Sequence, residues 1–283
     1  MRVAAAVAAC VLSAGLAVNA QEPVMTNSLG MEFVLVRPGK MVVGVFQPPY
    51  AKPPDPSAPP APPGRGGRGG TPLTADEYQR IEAAAKADAL PGFPVTIDRP
   101  YYIGKFEVTQ AQWRDVMGSN PSIFQGKLVE GPSDSFPVEN VTWDDARSFV
   151  QRLNAREKTT QYRLPTEFEW EFAARADGDA DTPWAGIRQQ AWAGTIRSTQ
   201  AVGKMKPNAW GLHDMLGNVW EWVQDFYNEK LFADPAPPRS GKEHVLKGGG
   251  FVSDVKNAIP ATHAGGPGSR FDVGLRVVRD VAK

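Results

Sequence analysis

Apolar and polar positions alternate from Asn27 in NSLGMEFVLVRPGKMVVGVF, with Pro38 and Gly39 interrupting the run, a period-two pattern that predicts two strands joined by a turn. PVTIDRPYYIGKFEVT, from Pro94 to Thr109, is strand-like in the same way. Three later segments change to helical spacing. Each opens on a threonine followed three positions on by a side chain that can bond back to the chain: Thr109 with Gln112, Thr142 with Asp145, and Thr166 with Glu169. In the second of these, Ala146, Phe149, Val150 and Leu153 recur at helical spacing and are expected to face the core. A similar start at Thr74 and Glu77 opens an alanine-rich helix at about 74–89, which Pro91 and Gly92 end. The C-terminal half carries glycine, proline and tryptophan punctuation instead of long periodic runs. Trp184, Trp192, Trp210, Trp220 and Trp222 must supply buried area there in place of regular elements. The pattern predicts a compact α+β domain.

Two stretches lie outside this pattern. Gln47 to Thr71 is first proline-rich and then glycine-rich, a composition that cannot build a packed core and predicts an extended, mobile insertion. The chain begins with Arg2, an apolar run from Val3 to Val18, and Asn19-Ala20 before Gln21, the layout of a secretory signal peptide over 1–20. That run is too short for a membrane span. Acylation at Cys10, as in a bacterial lipoprotein, competes with this reading but leaves the apolar residues beyond Cys10 unexplained. The expectation is an exported protein, periplasmic or secreted, with one domain over 21–283.

Composition narrows the chemistry. Cleavage after Ala20 removes the single cysteine, and with it any disulfide, thiolate metal site or thiol nucleophile. Acidic and basic residues balance at 31 each and form no long basic run, which argues against nucleic acid as a partner. The histidines, His213, His244 and His263, show no metal-ligand spacing. Glu167, Glu169 and Glu171 are close in sequence, but residues two apart on a helix face different ways. Glu169 is placed to cap the helix, with Arg163 and Arg175 available as ion-pair partners. In DMLGNVWEW, Asp214 and Glu221 offer two hard carboxylates around a turn at Gly217 and Asn218. That arrangement suits Ca²⁺, and suits solvent-facing or turn-capping acids equally well.

The phrases NSLGMEFVLVRPG, KFEVTQAQW, PVENVTWDDARSFVQRLN, YRLPTEFEWEFAARA, KPNAWGLHDMLGNVWEW, KGGGF and VGLRVVR occur in this order between Asn27 and Arg279. Together they resemble the formylglycine-generating enzyme, or sulfatase-modifying factor, family. The resemblance implies that family's variant of the C-type lectin fold. It also implies a structural calcium on the positions matching Asp214, Gly217, Val219 and Glu221, the middle two through backbone carbonyls. The family's other calcium site would fall in QAWAGTIRSTQAVG, where no matching acid stands, so one calcium is expected.

Active members of the family hold Cu(I) on two cysteines that follow a double glycine and an aromatic. Keeping the aromatic in register at Phe251 places Ser253 and Ala258 at those positions and Ile259 where the family has arginine. A hydroxyl and a methyl do not replace thiolates for a soft ion, so no copper is expected. The resemblance makes Gly249, Gly250, Phe251, Ser253, Asp254 and His263 a candidate ligand groove. Three readings follow. One is a calcium-stabilised module binding a peptide, protein or glycan. Another is a different enzyme in the same groove, with Ser253, His263 and Asp254 imagined as nucleophile, base and orienter. The third is a structural piece of a larger envelope assembly, with the insertion as its contact arm.

Overall fold

The computed structural model describes residues 24–43, 76, 92–176, 191–194, 196–231, 235–236, 238–253, 258–266 and 268–282. The expected signal peptide, the Pro/Gly-rich insertion and, apart from Asp76, the helix at about 74–89 lie outside these residues. In chain order the strands are β1 (Val24–Thr26), β2 (Glu32–Val36), β3 (Gly39–Val43), β4 (Phe93–Ile97), β5 (Tyr101–Gly104), β6 (Tyr162–Arg163), β7 (Ala191–Trp192), β8 (Leu216–Gly217), β9 (Trp220–Phe226), β10 (His244–Lys247), β11 (His263–Gly266), β12 (Val273–Leu275) and β13 (Val278–Asp280). The helices are α1 (Gln110–Met117), α2 (Trp143–Arg156) and α3 (Glu167–Arg175).

The helices begin where local chemistry dictates. Thr109, Thr142 and Thr166 each accept a hydrogen bond from the third residue of the helix, whose own side chain returns to the cap backbone. Each box satisfies two amide groups that the helix cannot. The face of α2 made by Ala146, Phe149, Val150 and Leu153 is buried, and Phe149 stacks on Trp113 of α1 at 5.1 Å between ring centroids.

Pairing between strands is less local. One sheet has the order β1-β2-β5-β13-β6 and joins both ends of the described chain. A second has the order β11-β10-β9-β12, in which β12 runs parallel to β9. The strands on either side of Pro38-Gly39 form, but not as a hairpin. β2 pairs with β1 and β5, whereas β3 pairs with β4. Val43 therefore stands opposite Phe93, so the chain between them leaves and returns at neighbouring positions. A long excursion closed in that way adds little entropic cost, because closure entropy grows only slowly with length.

Two apolar clusters fill the interior. One packs α1 and α2 against Trp222, Leu246 and Leu275; the other packs Val34, Ile103 and Val278 of the first sheet against Trp170, Val223 and Val245. From Ala191 onward the described residues contain short strands and no helix, and loops make up most of the remainder.

Candidate functional site

The segment from Asp214 to Glu221 is a turn of unusual backbone. Asp214, Gly217 and Asn218 all have positive φ, at 53°, 82° and 58°. At Gly217 a side chain is excluded as well, since a Cβ would run into the backbone of Trp192. Asn218 ties the turn to its surroundings. Its amide nitrogen donates to Glu107 at 2.7 Å and to the Gln200 carbonyl at 3.2 Å, and its side-chain oxygen accepts from the Gln200 N–H at 2.9 Å.

Around this turn the structure collects four buried charged side chains, of which sequence reasoning identified two. Glu221 accepts three contacts of 2.8–3.1 Å from Arg276, and its Oε2 accepts from Trp170 Nε1 at 2.5 Å. Asp214 accepts from the Gly203 N–H at 2.6 Å through Oδ2, while its Oδ1 is buried with no hydrogen-bond partner among the described residues. Glu107 is fully buried, and burial, then Asp214 and Glu221, push its carboxyl well above the usual range. Burial likewise raises Asp214. Three acids thus share one guanidinium.

The donor set fits calcium in one half. Asp214 Oδ1 is the kind of uncommitted hard oxygen that a calcium ion takes. Glu221 would have to share oxygens that Arg276 and Trp170 already engage. Among the described residues, no three or more His, Cys, Asp or Glu side chains gather as a metal site.

The glycine segment lies directly on this turn. The Gly217 N–H donates to the Gly248 carbonyl at 2.9 Å, and the Phe251 N–H donates to the Asn218 carbonyl at 2.8 Å. Gly248 and Gly249 have φ of 87° and 78°. A Cβ on Gly248 would sit 2.9 Å from the Met215 carbonyl oxygen. Glycine is required because backbone meets backbone there. Gly250 is pressed against Asp272 and Trp220. Phe251 is buried, edge-on to Phe124 and Phe271 at 5.2 and 5.9 Å.

The two positions aligned with the family cysteines hold no reactive group. Ser253 Oγ accepts from the Gly250 N–H at 2.9 Å and closes a tight turn. Ala258 is fully buried in a small apolar cluster with Ala191 and the partly buried Ile259. Asp254 lies outside the described residues.

His263 stands opposite Lys247, the residue before Gly248, in the β10–β11 ladder, with Nδ1 3.1 Å from Glu167 Oε1. Lys247, fully buried, reaches Glu171 at 3.1 Å, and Arg175 closes on Glu171 at 2.5 Å. Among the described residues Ser253 bonds to Gly250 and His263 pairs with Glu167, with no hydrogen bond between Ser253 and His263. Glu167 and Glu171 are buried charges held in ion pairs. Their four-residue spacing, which places both on one helix face, was the available signal. Glu169 caps α3 as expected and pairs with Arg163 at 2.6 and 2.7 Å.

A cavity of about 660 Å³ opens between residues 127–136 and 198–204. Nothing in the sequence pattern indicated it, because its walls are loops brought together by non-local bonds.

Residues 25–281 match the family described as Sulfatase-modifying factor enzyme 1-like domain. Chaperone protein LppX of Paenibacillus barcinonensis is 32% identical over 237 residues, spanning 63% of this chain and 80% of that protein. A formylglycine-generating enzyme of Streptomyces coelicolor is 31% identical over 198 residues, spanning 62% of this chain and 57% of the enzyme. The solved structure of Treponema denticola variable protein 1 superposes with a TM-score of 0.69 at 25% identity, covering 91% of this chain and 99% of that one.

Proposed function

The chain belongs to the sulfatase-modifying factor family, and from that premise we propose that it acts as a binding module for a peptide, protein or glycan and not as a copper oxidase. The observation that carries this reading is the state of the two positions where the family keeps its thiolates. One is a hydroxyl locked into a turn by the Gly250 N–H, and the other is a buried methyl. Neither can ligate Cu(I).

Calcium belongs to the same proposal. Asp214 would contribute Oδ1, Gly217 and Val219 their carbonyls, and Glu221 an oxygen shared with Arg276. When bound, the ion would supply positive charge to three crowded carboxylates and hold the turn on which the glycine segment rests. Export, periplasmic or secretory, rests on the apolar run from Val3 to Val18 and the small residues before Gln21. Among the described residues no helix is long and apolar enough to cross a membrane.

The test combines metal analysis of the purified protein, oxygen uptake with a cysteine-containing peptide, and a panel of peptides and glycans screened with calcium or a chelator. The expected outcome is no copper, no oxygen uptake and calcium-dependent binding of at least one ligand. Stoichiometric copper with oxygen uptake would overturn the reading, as would a panel in which nothing binds.

A further inference from the structure

The loop cavity lies apart from the turn at Gly217 and from the glycine segment. Its volume of about 660 Å³ lies within the roughly 300–1,000 Å³ usual for small-ligand sites. It is also braced. The Val202 N–H donates to the Ser135 carbonyl at 2.9 Å, bonding one wall to the other. The 198–204 wall is further held by Asn218, through Gln200, and by Asp214, through the Gly203 N–H. The cavity is therefore preformed, which lowers the ordering cost of binding.

Lys127 and Lys204 line it from opposite walls, and both are exposed. Neither takes part in any ion pair among the described residues. Glu130 offsets one of the two charges. Ser135, Ser198 and Gln200 add neutral polar groups suited to hydroxyls, and Leu128 and Phe136 add apolar surface suited to the C–H face of a ring. Both walls are loops and 3-10 turns with no strand in them, so there is no sheet edge to which an extended peptide could add.

We infer that this cavity is a ligand subsite for an acidic sugar unit, a hexuronate within a glycan. The carboxylate is held between Lys127 and Lys204, and the hydroxyls by Ser135, Ser198 and Gln200. This inference rests on the binding-module reading and assigns that reading a place and a ligand class.

Titration calorimetry of the full-length mature protein with a glucuronate-containing tetrasaccharide, its carboxyl-reduced neutral counterpart, and a hexaglutamate peptide tests it. The acidic tetrasaccharide is expected to bind at least tenfold more tightly than the neutral one. Lys127→Gln and Lys204→Gln should each weaken it about tenfold and reduce its salt dependence, with no change in the unfolding midpoint. Glu130→Gln should tighten it. Equal binding of both saccharides, tighter binding of the glutamate peptide, or lysine variants that bind like the parent would each overturn the inference while leaving a binding module standing. Failure of every peptide and glycan in the wider panel would instead remove the reading on which it rests.

Discussion

Two clusters of buried charge in this molecule are balanced differently. In the first, Glu167 and Glu171 on α3 meet Lys247, Arg175 and His263, so each acid has a basic partner within 3.1 Å. In the second, Glu107, Asp214 and Glu221 gather around Arg276, with His213 near Asp214, and one oxygen of Asp214 has no hydrogen-bond partner among the described residues. A matched cluster repays its desolvation internally and can serve as scaffold. An unmatched one crowds carboxyls whose affinity for protons is raised at the turn beneath the glycine segment, the condition under which a site gains from an added cation.

Removing the guanidinium of the unmatched cluster should have the largest effect. Arg276→Met leaves three buried carboxylates facing one another and opens the bonds from Arg276 to the Gly104 and His213 carbonyls. The expected loss is about 5 kcal/mol, the upper end of what breaking a buried pair costs. Urea unfolding, or failure to recover folded protein, would show it. Lys247→Met in the matched cluster should cost about 3 kcal/mol, because Glu171 keeps Arg175 and Glu167 keeps His263. If the two losses were equal, the distinction between the clusters would not hold.

Asp214→Asn sharpens the comparison further. The amide oxygen can still accept from the Gly203 N–H, and one uncompensated charge is removed. In chelator the variant should be as stable as the parent or more so. In calcium at about a hundred times its dissociation constant, the parent should gain about 2.7 kcal/mol and the variant nearly nothing. Thermal unfolding with and without calcium measures both, and an equal gain in the two proteins would remove calcium from this turn.

How much of this was legible depended on how local the cause was. The caps at Thr109, Thr142 and Thr166 and the buried face of α2 are set by neighbours three or four residues away, and the sequence declared them. The two strands around Pro38 and Gly39 were legible, but their partners were not, because strand partners are chosen across the fold, and β3 finds β4 at the far end of the insertion. Lys247, Arg276 and Glu107 sit in strand-like or loop text where alternation says only that a side chain goes to one face. It does not say that an opposite charge waits there. The glycines of residues 248–250 were recognised as a demand for close approach. What approaches is the turn at Gly217 and the side chains of Trp220 and Asp272, with the Met215 carbonyl nearest to Gly248.

Glu139 provides the smallest and most discriminating effect. It is buried and accepts from the Phe124 N–H at 2.8 Å through one oxygen, and the other has no hydrogen-bond partner among the described residues. Burial, with a smaller contribution from the charge of Asp272, pushes its carboxyl up to about 7, against the bonds from Phe124 and Ile123 that pull it down. The folded state therefore holds this proton from the ordinary carboxylate range up to about pH 7, where the unfolded chain has already released it. Stability from this group is present at pH 4 and is lost as the pH rises through that window. Glu139→Gln keeps an acceptor for Phe124 and cannot ionise. It should match the parent near pH 4 and exceed it by on the order of 1–2 kcal/mol at pH 8, a figure discounted for solvent screening. Urea unfolding at several pH values between 4 and 8 decides the matter: a constant difference would mean that Glu139 is held by an unseen partner, and that the matched cluster is the rule in this fold and not one of two designs.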